Sequence, residues 1–168
     1  MKKLIYTLLA VSIIFAACKK EEDDSIIPSV VDGCTDATAT NYNNSATNDD
    51  GSCIYSIIGT WTPTSADVNY TVTMAGMTLM DTSYTTTSSD PEWEFADVEF
   101  TADGQMIMEG ESITYSYAGN VLTITEDGET ETNTCTVTST EMVVIFNDIE
   151  EEDGMTITSN ITLNHTRQ

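Results

Sequence analysis

The sequence predicts an all-β fold, an antiparallel meander whose sheet must close on itself or meet a second sheet. Three observations predict it. Beyond Ile57 no segment carries a 3.6-residue apolar period, whereas alternation is common: Val68, Tyr70, Val72 and Met74 share one face with Thr71 and Thr73 on the other, and Ile113, Tyr115 and Tyr117 repeat the pattern. Turn pairs built for positive φ, among them Asp103-Gly104, Gly119-Asn120, Asp127-Gly128 and Asp153-Gly154, separate the runs. Threonine, β-branched and suited to a half-wet pleated surface, fills many outward positions.

Taken in order, strands are expected near 57–62, 66–74, 78–87, 94–101, 105–117 with a kink at Gly110, 120–127, 130–138, 141–148 and 155–166. Ala75-Gly76 and Ser89-Asp90-Pro91 mark two further breaks. Leu122 with Ile124, and Ile157 and Ile161 with Leu163, keep one apolar face per strand. Closure removes the edges that such strands would expose to aggregation. Cys135 alternates in phase with Val137, which predicts a buried free thiol.

The chain divides into four segments. Residues 1–17 read as a signal peptide: Met1–Lys3 is basic, and the apolar run Leu4–Phe15 is too short for a transmembrane helix. Ile14-Phe15-Ala16-Ala17-Cys18 resembles a bacterial lipobox, in which the Cys is lipidated and becomes the new N-terminus, so Cys18 is the expected anchor. Residues 18–32 are an acidic tether. Lys19-Lys20-Glu21-Glu22-Asp23-Asp24 resembles the surface-export signal of Bacteroidetes-type lipoproteins, which implies an outer-membrane lipoprotein exposed on the cell surface.

Residues 33–54 form a small Cys-bounded module. The interval between Cys34 and Cys53 has no long apolar run to fold around, and a disulfide between them orders it by about 3 kcal/mol of loop-closure entropy. From Gly33-Cys34-Thr35-Asp36 to Asp49-Asp50-Gly51-Ser52-Cys53 the segment resembles a recurrent motif of exported Bacteroidetes proteins. Its oxygen-bearing side chains, Asp36, Asn41, Asn43, Asn48, Asp49 and Asp50, suit a hard cation, and calcium is the candidate cofactor. The EF-hand register fails, since Gly51 at loop position six puts Ala46 first and Ile57 twelfth. The alternative is a set of Asx turns in which these side chains cap their own backbone.

Charge excludes several functions. There are 28 acidic residues against 5 basic ones, and Lys2, Lys3, Lys19 and Lys20 leave Arg167 as the single basic residue after Glu21. Nucleic-acid binding and phosphate clamps need more cations than this. One histidine, His165, cannot build a multi-His metal site. No Ser or Cys motif accompanies it, and carboxylates are too numerous for any one pair to signal catalysis, so no catalytic residue and no enzyme activity is expected.

Residues 55–168 carry a family resemblance. Gly59-Thr60-Trp61 at the start of the first strand is similar to the Gly-x-Trp of lipocalins. Phe100-Thr101-Ala102-Asp103-Gly104 and Tyr115–Ile124 resemble the short lipocalin-like domains of exported Bacteroidetes proteins. The resemblance implies an up-and-down antiparallel β-barrel of about eight strands. It also implies an arginine of the last strand packed over the first-strand indole. Arg167 shares the alternation of Leu163 and His165, and antiparallel pairing of last strand with first brings it to Trp61 beside Gly59, the three together closing the barrel. The acidic stretch Asp148–Asp153 stands where lipocalins carry a helix.

Tyr70, Phe100, Met106, Met108, Tyr115 and Tyr117 are the candidate lining of a barrel interior, either a pocket for a small apolar or amphipathic ligand or a core filled by its own side chains. Two functions follow: a surface lipoprotein whose barrel binds such a ligand, or an anchored, non-enzymatic module binding a surface protein or divalent cations. A cavity above about 300 Å³ favours the first.

Overall fold

The computed structural model describes residues 29–168. The signal peptide, the lipidation site Cys18 and the tether up to residue 28 lie outside the described residues.

Two short strands, β1 (Asp32–Gly33) and β2 (Asn48–Asp49), pair in parallel within the Cys-bounded module. The rest is one antiparallel sheet of β3 (Gly59–Met74), β4 (Met77–Thr87), β5 (Val98–Phe100), β6 (Gln105–Met108), β7 (Glu111–Ala118), β8 (Val121–Glu126), β9 (Glu129–Val137), β10 (Glu141–Glu152) and β11 (Met155–Arg167). The sheet order is β11-β10-β9-β8-β7-β6-β5-β3-β4, and β11 also pairs with β3. That pairing shuts an eight-stranded antiparallel barrel, with β4 left outside it as a ninth strand on the flank of β3. The up-and-down barrel implied by the sequence is therefore the fold.

The structure corrects several boundaries. The expected strands at 57–62 and 66–74 are one strand. Trp61 and Pro63 are buried, and then Ala66 is buried, so the inward phase switches by one residue. His165 pairs with Pro63 and Asn164 with Ser65, leaving Thr64 as the extra residue of a β-bulge, with its hydroxyl donating to the Asn164 carbonyl at 3.1 Å. The phase change mimics a strand break in sequence. The 94–101 strand shrinks to Val98–Phe100, and the 105–117 strand divides at a turn in which Glu109 and Gly110 both have positive φ. The strand expected at 141–148 runs on through the acidic residues to Glu152 as β10.

The long strands reach beyond the barrel. β10 pairs with β9 only across Met142–Ile145 but with β11 as far as Glu152. β3 pairs with β5 only at Gly59–Trp61 and with β4 from Ser65 to Met74. The outer halves of β10, β11, β3 and β4 thus form a four-stranded arm in that order, rooted in the barrel wall.

The core lies within the barrel and is densest at the end where β3 begins. Trp61, Phe100, Leu122, Met142 and Cys135 are almost wholly buried there, with Ile57, Val137 and Val144 around them. Burial of these side chains is the main favourable term of folding, at about 25 cal/mol per Å² of apolar surface.

Candidate functional site

One end of the barrel is sealed and the other is open. At the sealed end the Trp61 indole N–H donates to the Ile57 carbonyl at 2.7 Å. The Arg167 guanidinium carbon sits 4.1 Å from the Trp61 ring centroid. The same guanidinium donates through Nη2 to the Ser56 carbonyl at 2.6 Å, through Nη1 to Ile58 at 2.8 Å and through Nε to Ser139 at 3.1 Å. Its donors thus tie the lead-in to β3 to the β9–β10 turn. Gly59 makes room for this: its φ is +132°, and a Cβ there would stand 3.0 Å from Arg167 Nη1.

The Cys-bounded module caps the same end. Cys34 and Cys53 form a disulfide. Tyr55, which packs against the barrel core, donates its hydroxyl to Asp36 Oδ2 at 2.8 Å. Each of the six oxygen-bearing side chains is engaged in hydrogen bonds. Asp36 Oδ1 accepts from the Thr38 amide and hydroxyl, Asn43 Oδ1 from the Ser45 amide, Asp49 Oδ1 from Gly51 and Asp50 Oδ1 from Ser52. Asn41 accepts from the Ile54 amide and donates to the Ser52 carbonyl, and Asn48 donates to Asp32. These are Asx turns and cross-links of the module's own backbone. The Thr38 hydroxyl and amide, then Tyr55, hold the Asp36 carboxyl below its ordinary range, and Ser52 does the same for Asp50. Among the described residues no group of three or more His, Cys, Asp and Glu side chains is placed to hold a metal ion.

Toward the other end the barrel is hollow. A cavity of about 360 Å³ is walled by Val98, Phe100, Met106, Ile113, Leu122, Ile124, Met142, Val144, Phe146 and Leu163, with His165 set among them. Of the six candidate lining residues, Phe100, Met106 and Met108 are on this cavity. Tyr70, Tyr115 and Tyr117 are not. Tyr70 lies on the arm, half-buried and paired with Thr82 and Ser159. Tyr115 and Tyr117 sit toward the sealed end. Tyr115 packs edge-on against Phe100 with centroids 4.8 Å apart and donates to the Thr101 carbonyl at 2.8 Å. Tyr117 donates to the Cys135 carbonyl at 3.4 Å and lines the crevice beneath Cys53–Tyr55.

His165 is the residue that sequence reasoning set aside. It is 4% exposed, and its Nδ1 has no partner of hydrogen-bonding geometry. Burial pushes its pKa down, and the backbone of Met142 and Leu163 pulls it part of the way back. Cys135 is a free, fully buried thiol whose pKa burial raises to about 12.

The rim of the cavity is acidic. Glu94, Glu109, Glu126 and Glu131 stand at its edge. Two of them continue inward-facing rows: Leu122, Ile124, then Glu126 on β8, and Val137, Cys135, Asn133, then Glu131 on β9. Glu131 accepts from the buried Asn133 amide at 2.8 Å. The signal for the rim was in the sequence, in alternation that turns from apolar to acidic without changing phase.

An eight-stranded antiparallel barrel, plugged by aromatic and guanidinium groups at one end and hollow and apolar toward the other, is the architecture of a small ligand-holding barrel. The family model of the lipocalin-like domain matches residues 57–144, just over half of the 168-residue chain, and the chain belongs to that family. No curated protein and no solved structure matches the chain.

Proposed function

We propose that the protein is a surface-exposed outer-membrane lipoprotein, anchored through Cys18, whose barrel binds a small apolar or amphipathic molecule without chemical turnover. The observation that carries the binding reading is the cavity of about 360 Å³, within the size range of small-molecule sites and walled by aliphatic, aromatic and methionine side chains. Methionine, unbranched and polarisable, adapts such a wall to varied apolar shapes. The non-enzymatic reading rests on the state of the two candidate reactive groups: Cys135 is a protonated, buried thiol at neutral pH, and His165 has no hydroxyl or carboxylate bonded to it among the described residues. The anchored, surface location rests on the lipobox-like and export-signal-like residues Ile14–Asp24.

Native mass spectrometry of the protein from its own cells tests the binding reading. An adduct of a few hundred daltons is expected, lost when Leu122→Trp or, as a milder filling, Ile124→Phe occupies the cavity. An adduct retained in both filled variants would place the ligand elsewhere.

A second reading, an anchored module that meets a surface protein, is favoured by the arm. Met77, Leu79, Met80 and Tyr84 of β4 are all more than half exposed, and exposed apolar groups gathered on one element mark contact surfaces. Substituting Met80 and Tyr84 by Ser would abolish partner capture on that reading while leaving the cavity adduct in place.

A further inference from the structure

We infer that the tip of the arm binds a soft monovalent metal ion, Cu(I), through the thioethers of Met74, Met77 and Met155, with Met80 beside them. The inference goes beyond both readings above, since it uses neither the cavity nor a partner protein.

Two hairpins end at the same height. β3 turns into β4 through Ala75 and Gly76, and β10 turns into β11 through Asp153 and Gly154. All four turn residues have positive φ, as tight two-residue hairpin loops require. Met74 pairs with Met77 across the first turn and Met155 with Glu152 across the second. Met155 also pairs with Met74 where β11 meets β3. Residues directly opposite one another in an antiparallel pair share a face. The last row of the arm therefore reads Glu152, Met155, Met74, Met77, with three methionines side by side on one face.

In a regular strand Met80, three residues from Met77, would fall on the other face. A bulge returns it. Thr73 pairs with Thr78 and Val72 with Met80, so Leu79 is the extra residue of β4. Val72 shares the face of Met74, and Met80 therefore joins that face next to the row. Of the eight methionines in the chain, Met1 lies outside the described residues, and four of the other seven stand here.

These positions are open to an incoming ion: Met74 is 40% exposed, Met77 66% and Met80 51%. Neighbouring strands lie about 4.8 Å apart. Three sulfurs in a plane around a metal, each about 2.3 Å from it, lie about 4 Å from one another. Unbranched side chains with three rotatable bonds close so small a difference. Thioethers are soft, neutral donors and select Cu(I). Zinc takes thiolate, imidazole or carboxylate, and calcium and magnesium take oxygen. Glu152 ends the row, and Glu150, opposite Ile157, follows on the same face, so the potential at the tip is negative and favours a cation.

The test uses the full chain in its Cys18→Ser form, which removes the anchor thiol, in chloride-free buffer. Ag(I) is the probe, a soft monovalent ion that does not change oxidation state here. One Ag(I) per chain is expected by calorimetry. With the methionine methyl groups labelled with carbon-13, the NMR signals of Met74, Met77, Met80 and Met155 should move together while those of Met106, Met108 and Met142 stay in place. Met74→Leu with Met77→Leu should weaken binding at least about tenfold and leave the denaturant midpoint unchanged. Leucine keeps the apolar bulk, so a surface used only for apolar contact would not register the change. Cys135→Ala should bind Ag(I) as the native chain does. Cu(I) loaded under ascorbate should show a sulfur-dominated first shell by X-ray absorption. Equal affinity of the native and double-leucine chains would overturn the inference, as would no binding of Ag(I), shifts confined to the other three methionines, or loss of binding in Cys135→Ala. A shell of oxygen alone would also overturn it and would assign the ion to the carboxylates of β10. The cavity adduct of the binding reading is independent of all these outcomes.

Discussion

Arg167 and Trp61 face each other across the seam that closes the barrel. They are register partners in the β3–β11 ladder, and the guanidinium carbon lies 4.1 Å from the ring centroid. The last residues of the chain thus bond to the first strand of the sheet, and the contact seals the end of the barrel opposite the cavity. A cation over an indole face contributes roughly 0.5–2 kcal/mol depending on desolvation. Three carbonyls, of Ser56, Ile58 and Ser139, depend on the same side chain for their donors.

Arg167→Ala should therefore destabilise the barrel by about 1–2 kcal/mol, read as a lower denaturant midpoint at unchanged slope. Arg167→Lys should recover only part of this, because an ammonium reaches one carbonyl and lacks the planar fork that stacks and bonds at once. Equal midpoints for all three proteins would show that the contact seals nothing.

Gly59 tests the same plug from the backbone side. Its φ of +132° is a conformation that residues with a Cβ adopt only under strain, and the added atom would stand 3.0 Å from Arg167 Nη1. Gly59→Ala should cost about 1–3 kcal/mol. In an Arg167→Ala background the steric part of that cost should shrink, and the strain of the backbone should remain. A double-mutant cycle in denaturant measures the difference; strict additivity would mean that the introduced methyl group and the guanidinium do not collide.

The disulfide and the free thiol predict a chemical pattern. Non-reducing peptide mapping should link Cys34 to Cys53 and leave Cys135 unpaired. Native Cys135 should resist thiol reagents, since burial raises its pKa to about 12 and the thiolate is the nucleophile. Denaturant should restore full reactivity. Reduction should loosen the Asp36–Asp50 turns to proteolysis before the barrel melts, because a closed loop of this length loses about 3 kcal/mol of stabilisation. Rapid labelling of Cys135 in the native state would show that the barrel wall opens.

The barrel was legible where physical rules act locally. Alternation at Val68–Met74 and Ile113–Tyr117, and turn pairs such as Asp127-Gly128, placed the strands, and the phase of Arg167 with His165 anticipated the contact with Trp61. What sequence could not show depends on register between distant strands. The bulge at Thr64 shifts the inward phase of β3, so a continuous strand looks like two. Whether an inward residue lines a cavity, fills a core or stands clear of both depends on its height in the barrel. That height separates Met106 on the cavity wall from Tyr117 near the plug and Tyr70 on the arm, although all three alternate alike. The burial of His165 in the barrel wall likewise depends on packed surroundings that its sequence neighbours do not show.

His165 also sets a pH dependence. Burial in the apolar wall lowers its pKa in the folded barrel, while the unfolded chain keeps the ordinary value near 6.5. A depressed histidine favours the neutral form in the folded state, so below pH 6.5 the unfolded chain binds the extra proton and stability falls as pH falls. Above pH 6.5 both states are neutral at this site and its contribution is fully present. The loss should continue down to the folded pKa and level off there. The many carboxylates of the chain are common to both proteins, so the comparison is by difference. His165→Phe should remove the part of the slope that sets in below about pH 6.5. Denaturant midpoints of the two proteins at half-unit steps measure this. Parallel curves below pH 6.5 would mean that the imidazole reaches solvent or a partner in the folded state.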